Sequence, residues 1–207
     1  MSLFTQISKT SRTSWALAEI QNLTIRMADG DIAHRAQEDL ATGEARELLK
    51  AVNALLEAAT RPVKALRDAV GHMTAEHDRG DIDVEISANA FKGDLATIAT
   101  GINGMVASHI GVKKKAMACI KEFGEGNFEA PLEKFPGKKA FINDTIETLR
   151  SNLKGLIAEM NLMSAEHDKG DIDVFVPVDK FRGDFATMAA GINGMVASHI
   201  GVKKKAM

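Results

Sequence analysis

The stretch RPVKALRDAVGHMTAEHDRGDIDVEISANAFKGDLATIATGINGM, residues 61–105, decides the fold. Val63, Leu66, Val70, Met73 and His77 step by 3, 4, 3 and 4 residues up to Gly80, and Leu95, Ile98, Ile102, Met105 and His109 take the same steps after it. Both are narrow heptad stripes of the coiled-coil kind, not the broad apolar face of a globular helix. Pro62 reads as the start of the first helix and Gly80 as its stop. From Gly80 to Gly93 is a step of 13 residues, whereas an antiparallel helix pair needs only about 2 to 8. Extended, they span about 40 Å, and a helix of about 16 residues is only about 24 Å long. The connector can therefore run back along the first helix, which predicts parallel helices. Ile82, Val84 and Ile86 alternate with Asp81, Asp83 and Glu85, an extended strip that lays one apolar edge on the helices. A two-stranded sheet is the rival reading, without an evident partner strand.

The pattern recurs. Residues 73–117 and 163–207 align without a gap at an offset of 90, with 33 of 45 positions identical, and GINGMVASHIGVKKKAM stands letter for letter at 101–117 and 191–207. Turn markers Gly30-Asp31-Ile32, Gly80-Asp81-Ile82, Gly126-Asn127-Phe128 and Gly170-Asp171-Ile172 are followed by Val52-Asn53, Ile102-Asn103, Ile146-Glu147 and Ile192-Asn193. Four modules follow, at 10–60, 61–110, 109–157 and 153–201, the third sharing a continuous helix with the second, and 202–207 begin a further helix. Leu153, Leu156, Met160, Met163 and His167, then Phe185, Met188, Ile192, Met195 and His199, repeat the stripes in the fourth.

Two narrow seams cannot enclose a core, but two copies of the chain supply four helices around one axis. The expected class is all-α: tandem parallel four-helix coiled-coil bundles made by a homodimer. The composition agrees, since aromatics are only 5%, with nine Phe, one Trp and no Tyr. A net charge of -2 and scattered aromatics argue against nucleic acid. Narrow seams leave no obvious concave pocket, so no enzyme, cofactor or small-molecule substrate is expected. No stretch reads as a membrane span or signal peptide, and the single Cys119 suits a reducing compartment. A cytoplasmic location is expected.

Helix, Gly-Asp-apolar turn, extended connector, acidic residue, and a helix carrying apolar-Asn-x-Met resembles the HAMP domain, the signal relay of bacterial chemoreceptors and sensor kinases. The turn is matched at Gly30, Gly80-Asp81, Gly126 and Gly170-Asp171, the helix-start proline at Pro62, and the acidic start of the second helix at Glu44, Asp94 and Asp184. In the third module Lys138 stands at the acidic position, Glu147 replaces the Asn, and the connector is two residues shorter, which implies a differently tuned unit. Its run EFGEGNFEAPLEKFPGKKAFI, residues 122–142, resembles stacked modules of soluble chemoreceptors that sense oxygen through a haem-binding PAS domain. The resemblance implies a relay whose moving parts are the seam residues Leu66, Val70, Met73, Leu95, Ile98, Ile102, Met105, Met160, Met163, Ile192 and Met195. Its partners would be a second copy and the sensor or kinase-control domains of a longer protein, of which this chain reads as an N-terminal portion. A static spacer or dimerisation adaptor is the alternative.

In register, His77 would meet His109 and His167 would meet His199, placing four imidazoles in one layer of a dimer. Such a layer can sense pH or hold zinc, or simply fix register as a buried Asn does. The run 78–85 alternates acidic residues like a calcium loop, but Ile86 stands where that loop needs Gly. Lys113, Lys114 and Lys115 read as a solvated helix face, and Cys119 as a small core residue.

Overall fold

The computed structural model describes residues 3–206, with side chains over 14–202. Five helices carry the fold: α1 Leu3–Ala28, α2 Glu44–Asp78, α3 Asp94–Gly124, α4 Ala140–Asp168 and α5 Asp184–Ala206. Among the described residues there is no strand, which removes the two-stranded alternative and leaves an all-α chain. The connectors are extended, and each ends in a single 3-10 turn, at Glu38–Leu40, Ala88–Ala90, Gly137–Lys139 and Val178–Lys180. That turn was not foreseen.

Each connector opens on the same cap. Gly80 has φ +98°, its N–H reaches His77 O at 3.0 Å, and Asp81 N–H reaches Glu76 O at 3.0 Å. These are the paired bonds of a Schellman ending, whose left-handed residue has to be Gly. At the far end Gly43 adopts φ 61°, ψ −139°, a region closed to side chains, and α2 begins at the next residue.

Connector contacts settle the direction of the helices. In the third module Asn127 bonds Glu122, Cys119 Sγ lies 3.8 Å from Ala130 O, and Glu133 pairs with Lys115. The connector thus retreats along α3. The same segment meets α4 in reverse order, with Glu129 on Lys154 and Phe135 on Asn143. A strip antiparallel to both neighbours makes the two helices parallel.

The chain divides into two compact units, one ending at Ala107 and one starting at Ser108. In the first, Ala16, Leu23, Ala36, Ala41 and Leu49 form one core, and Leu66, Met73, Ile86 and Ala99 another. In the second, the cores are Cys119, Phe123, Ala130 and Ile146, then Leu156, Met163, Val176 and Ala189. Each core belongs to one module and includes a connector residue.

Two expectations need correction. Pro62 does not start a helix; it stands inside α2, which runs unbroken from the first module into the second. Its ring removes the bond to the carbonyl four residues earlier, a cost of about 3 kcal/mol in a helix interior, which the packed residues on either side, Leu49, Leu66 and Met73, outweigh. Helix α3 and the segment Asp184–Val202 of α5 are long and apolar enough to cross a membrane by length and composition, so the expectation of no such stretch fails. Their Ala, Val, Ile and Met residues, at and between the seam positions, raise the mean hydropathy. Replacing the proline (Pro62→Ala) should stabilise the chain by about 1–3 kcal/mol, read as a higher midpoint in a urea titration followed by circular dichroism.

Candidate functional site

The connector is the part of each module that both helices touch, and it is tied down by an asparagine amide. Ile86 N–H donates to Asn103 Oδ1 at 3.0 Å, and Asn103 Nδ2 donates back to Ile86 O at 2.8 Å. Asn53 does the same to Ala36 at 2.8 and 3.0 Å, and Asn193 to Val176 at 2.9 and 2.8 Å. One amide satisfies both backbone groups of one connector residue. That residue is buried each time, and directly beneath it in sequence register lie the fully buried Leu49, Ala99 and Ala189. The apolar edge expected from the sequence is Ile82, Val84 and Ile86. Of these Ile86 is buried and Val84 half-buried, while Ile82 is exposed.

In the third module the clasp moves. Asn143, one helical turn before Glu147, accepts from Phe135 N–H at 2.9 Å and donates to Glu133 O at 2.8 Å. It takes the register position of Ala99. Lys138 sits in the 3-10 turn, and α4 starts only at Ala140, with no acidic residue in its first turn. Glu147, released from the clasp, binds Arg150 Nε at 2.9 Å. Arg150 donates to Phe128 O at 2.6 Å and Ala130 O at 2.7 Å, and its guanidinium lies 4.9 Å from the centre of the Phe123 ring. Asn143 and Arg150 escaped the sequence reading, because an aligned column cannot signal a one-turn shift between helix and connector.

The other marked residues fall as follows. Gly30, Gly80, Gly126 and Gly170 all have positive φ, and Glu44, Asp94 and Asp184 are the first residues of α2, α3 and α5, where a carboxylate suits the helix dipole. The heptad seam splits into two faces. Leu66, Met73, Leu156 and Met163 are buried by their own module, with Val70, Leu95, Ile102 and Ile192 packed beside them. Ile98, Met105, Met160 and Met195 stay exposed in the single chain, Met105 at 58%. Cys119 is buried beside Phe123, while Lys113 and Lys115 are exposed.

His77 and His167 are half-buried and His109 and His199 exposed. Within the chain the first two point at the connector: His77 Nε2 lies 3.0 Å from Val84 O and His167 Nε2 2.7 Å from Val174 O. A carbonyl only accepts, so each Nε2 carries its proton. Among the described residues no group of three or more His, Cys, Asp or Glu side chains is placed to hold a metal. Salt links add to the connector contacts: Arg35 bonds Glu57 at 2.5 Å and holds its carboxyl below the usual range, and Lys154, at 2.5 Å, does so for Glu129.

The HAMP domain model matches residues 16–60, and the model of the second HAMP domain of methyl-accepting chemotaxis protein McpB matches both 60–108 and 150–198. The model of HAMP N-terminal domain 3 matches 112–154, the stretch with the shifted clasp. Methyl-accepting chemotaxis protein McpB of Pseudomonas aeruginosa is 36% identical over 141 residues, 66% of this chain but 21% of that protein. The chain thus spans about a fifth of the length of that relative.

Removing one clasp by Asn103→Ala strands the half-buried N–H and C=O of Ile86. It should cost about 1–3 kcal/mol in a urea titration and speed exchange of the Ile86 amide, leaving Val176 unchanged. The depressed carboxyls of Glu57 and Glu129 contribute stability above their unfolded pKa and lose it as pH falls through the lower folded value. Stability should therefore drop as pH falls from about 5 towards 3, and Glu57→Gln should flatten part of that drop in melts at stepped pH.

Proposed function

Because the chain carries tandem HAMP domains between residues 16 and 198, we propose that it relays conformational signals along stacked parallel bundles in a chemoreceptor-type protein. The array works as a homodimer, and it acts on sensor or kinase-control domains of the longer receptor to which it belongs. The observation that carries this reading is the split seam. Leu66 and Met73 are buried by the chain's own connector, while Ile98, Met105, Met188 and Met195 remain between about two-fifths and three-fifths exposed. Burying each of these is worth about 1.5–3 kcal/mol, and a second copy in parallel register places the same residues opposite themselves. Helix continuity supports relay along the axis. Helix α2 serves two modules within the first unit, and α4 serves two within the second, so a rotation imposed on one module reaches its neighbour without a hinge.

Two arrangements of such a bundle, related by rotation or tilt, can be biased by an input. The array needs no chemistry of its own and is read as non-enzymatic. The similarity to McpB supports a chemotaxis receptor as the parent protein, and the run at 122–142 supports the narrower case of a soluble haem-PAS receptor. A cytoplasmic placement fits helices α3 and α5, whose apolar faces serve the dimer seam. Asn103, bonded to the connector backbone, keeps a polar strip along α3.

With Cys119 replaced by Ser, single cysteines at Ile98→Cys and Met105→Cys should each crosslink between copies under mild oxidation. In the parent receptor the crosslinking pattern should change with stimulus. Crosslinks that form but ignore stimulus would favour the static spacer, and no interchain crosslink at either site would refute the parallel dimer.

A further inference from the structure

Counted from the turn glycine, the same connector carbonyl is capped in every module. It belongs to the fourth residue after the glycine: His34, Val84, Ala130 and Val174. The donors alternate. Arg35 Nη1 caps His34 O at 2.8 Å and Arg150 Nη2 caps Ala130 O at 2.7 Å, whereas His77 and His167 cap the other two through Nε2. The two arginines arrive from different places, one on the connector and one on the second helix, yet each also reaches the carbonyl of the second residue after the glycine. Arg35 meets Ile32 O at 3.1 Å and Arg150 meets Phe128 O at 2.6 Å. Each is anchored in turn: Arg35 on Glu57 and on the buried Thr60 at 2.9 Å, and Arg150 on Glu147 and the Phe123 ring.

An imidazole offers one N–H at Nε2 and cannot bridge two carbonyls, while a guanidinium presents a rigid fork of charged donors. We propose that the modules alternate in compliance: the first and third are locked by a two-carbonyl arginine latch, and the second and fourth, with a single imidazole cap, are the ones whose connector and helices shift. The proposal rests on the relay reading for its signalling meaning only. The compliant modules are the duplicated pair, so two nearly identical switches would be separated by a locked coupler.

The third module supplies its own probe. Cys119, the single cysteine of the chain, is 3% exposed, with Sγ 3.8 Å from both Ala130 O and Arg150 Nη2. An alkylating reagent reaches it only when the connector lifts. On the intact chain, hydrogen exchange should be about tenfold slower in connector segments 32–36 and 128–135 than in 82–86 and 172–176. Arg150→Met should raise the rate of Cys119 alkylation by N-ethylmaleimide about tenfold and bring exchange at 128–135 to the level of 82–86, leaving 32–36 unchanged. Arg150→Lys, which keeps the charge but loses the fork, should fall between. Equal exchange in all four wild-type connectors would overturn the proposal, as would unchanged alkylation in Arg150→Met. If Arg150→Met fails to fold, the wild-type comparison decides. None of these outcomes touches the interchain crosslinks, so the latch and the relay can fail separately.

Discussion

Extended backbone with no strand beside it has to find partners for its N–H and C=O groups elsewhere, and this governs the whole module. Each connector lies between two helices whose own backbone groups are already used, so side chains must supply the bonds. Asn53, Asn103 and Asn193 do this with one amide per connector. Because the amide meets both groups of a single residue, it fixes position along the helix as well as attachment. A slip by one residue would turn Ile86 outward and a neighbouring polar side chain inward.

Packing follows from that fixed point. The connector residue held by the amide is buried in all three modules, and where it approaches the second helix the residue beneath is Leu49, Ala99 or Ala189. With Ala36 on the connector the helix carries Leu, and with Ile86 or Val176 it carries Ala: a large residue always faces a small one. The third module solves the same problem with other parts. Its connector is shorter by two residues, the amide moves back one turn to Asn143, and Phe128 and Leu132 pack on the core of Cys119, Phe123, Ala130 and Ile146, with Arg150 over the Phe123 ring.

Much of this was legible in the residues. Heptad steps marked the helices, the turn glycines marked their ends, and connector length against helix length gave the parallel direction. What stayed hidden depended on distances across the module. Pro62 reads as a start because proline favours the first turn, yet tertiary packing on both sides holds α2 together through it. The seam histidines read as facing a dimer axis, but the Schellman ending brings the connector back over the last turn, where the carbonyls of Val84 and Val174 meet them first. Arg150 lies 20 residues beyond the carbonyl it caps, and no local motif announces such a pair.

The same constraint leaves one face of each helix uncovered within a single chain. The connector covers one side of the first helix, and its amide consumes one side of the second. Neither can cover the remaining face, because a strip one residue wide has only one apolar edge. Ile98 and Met105, like Met188 and Met195, therefore stay exposed in the single chain. In the proposed homodimer a second copy would bury that face without disturbing a connector bond, since clasp and seam occupy different sides of the helix. Rotation of the helices would change the seam first and reach the connector only through its caps. The strength of each cap then sets how far a module follows its neighbour.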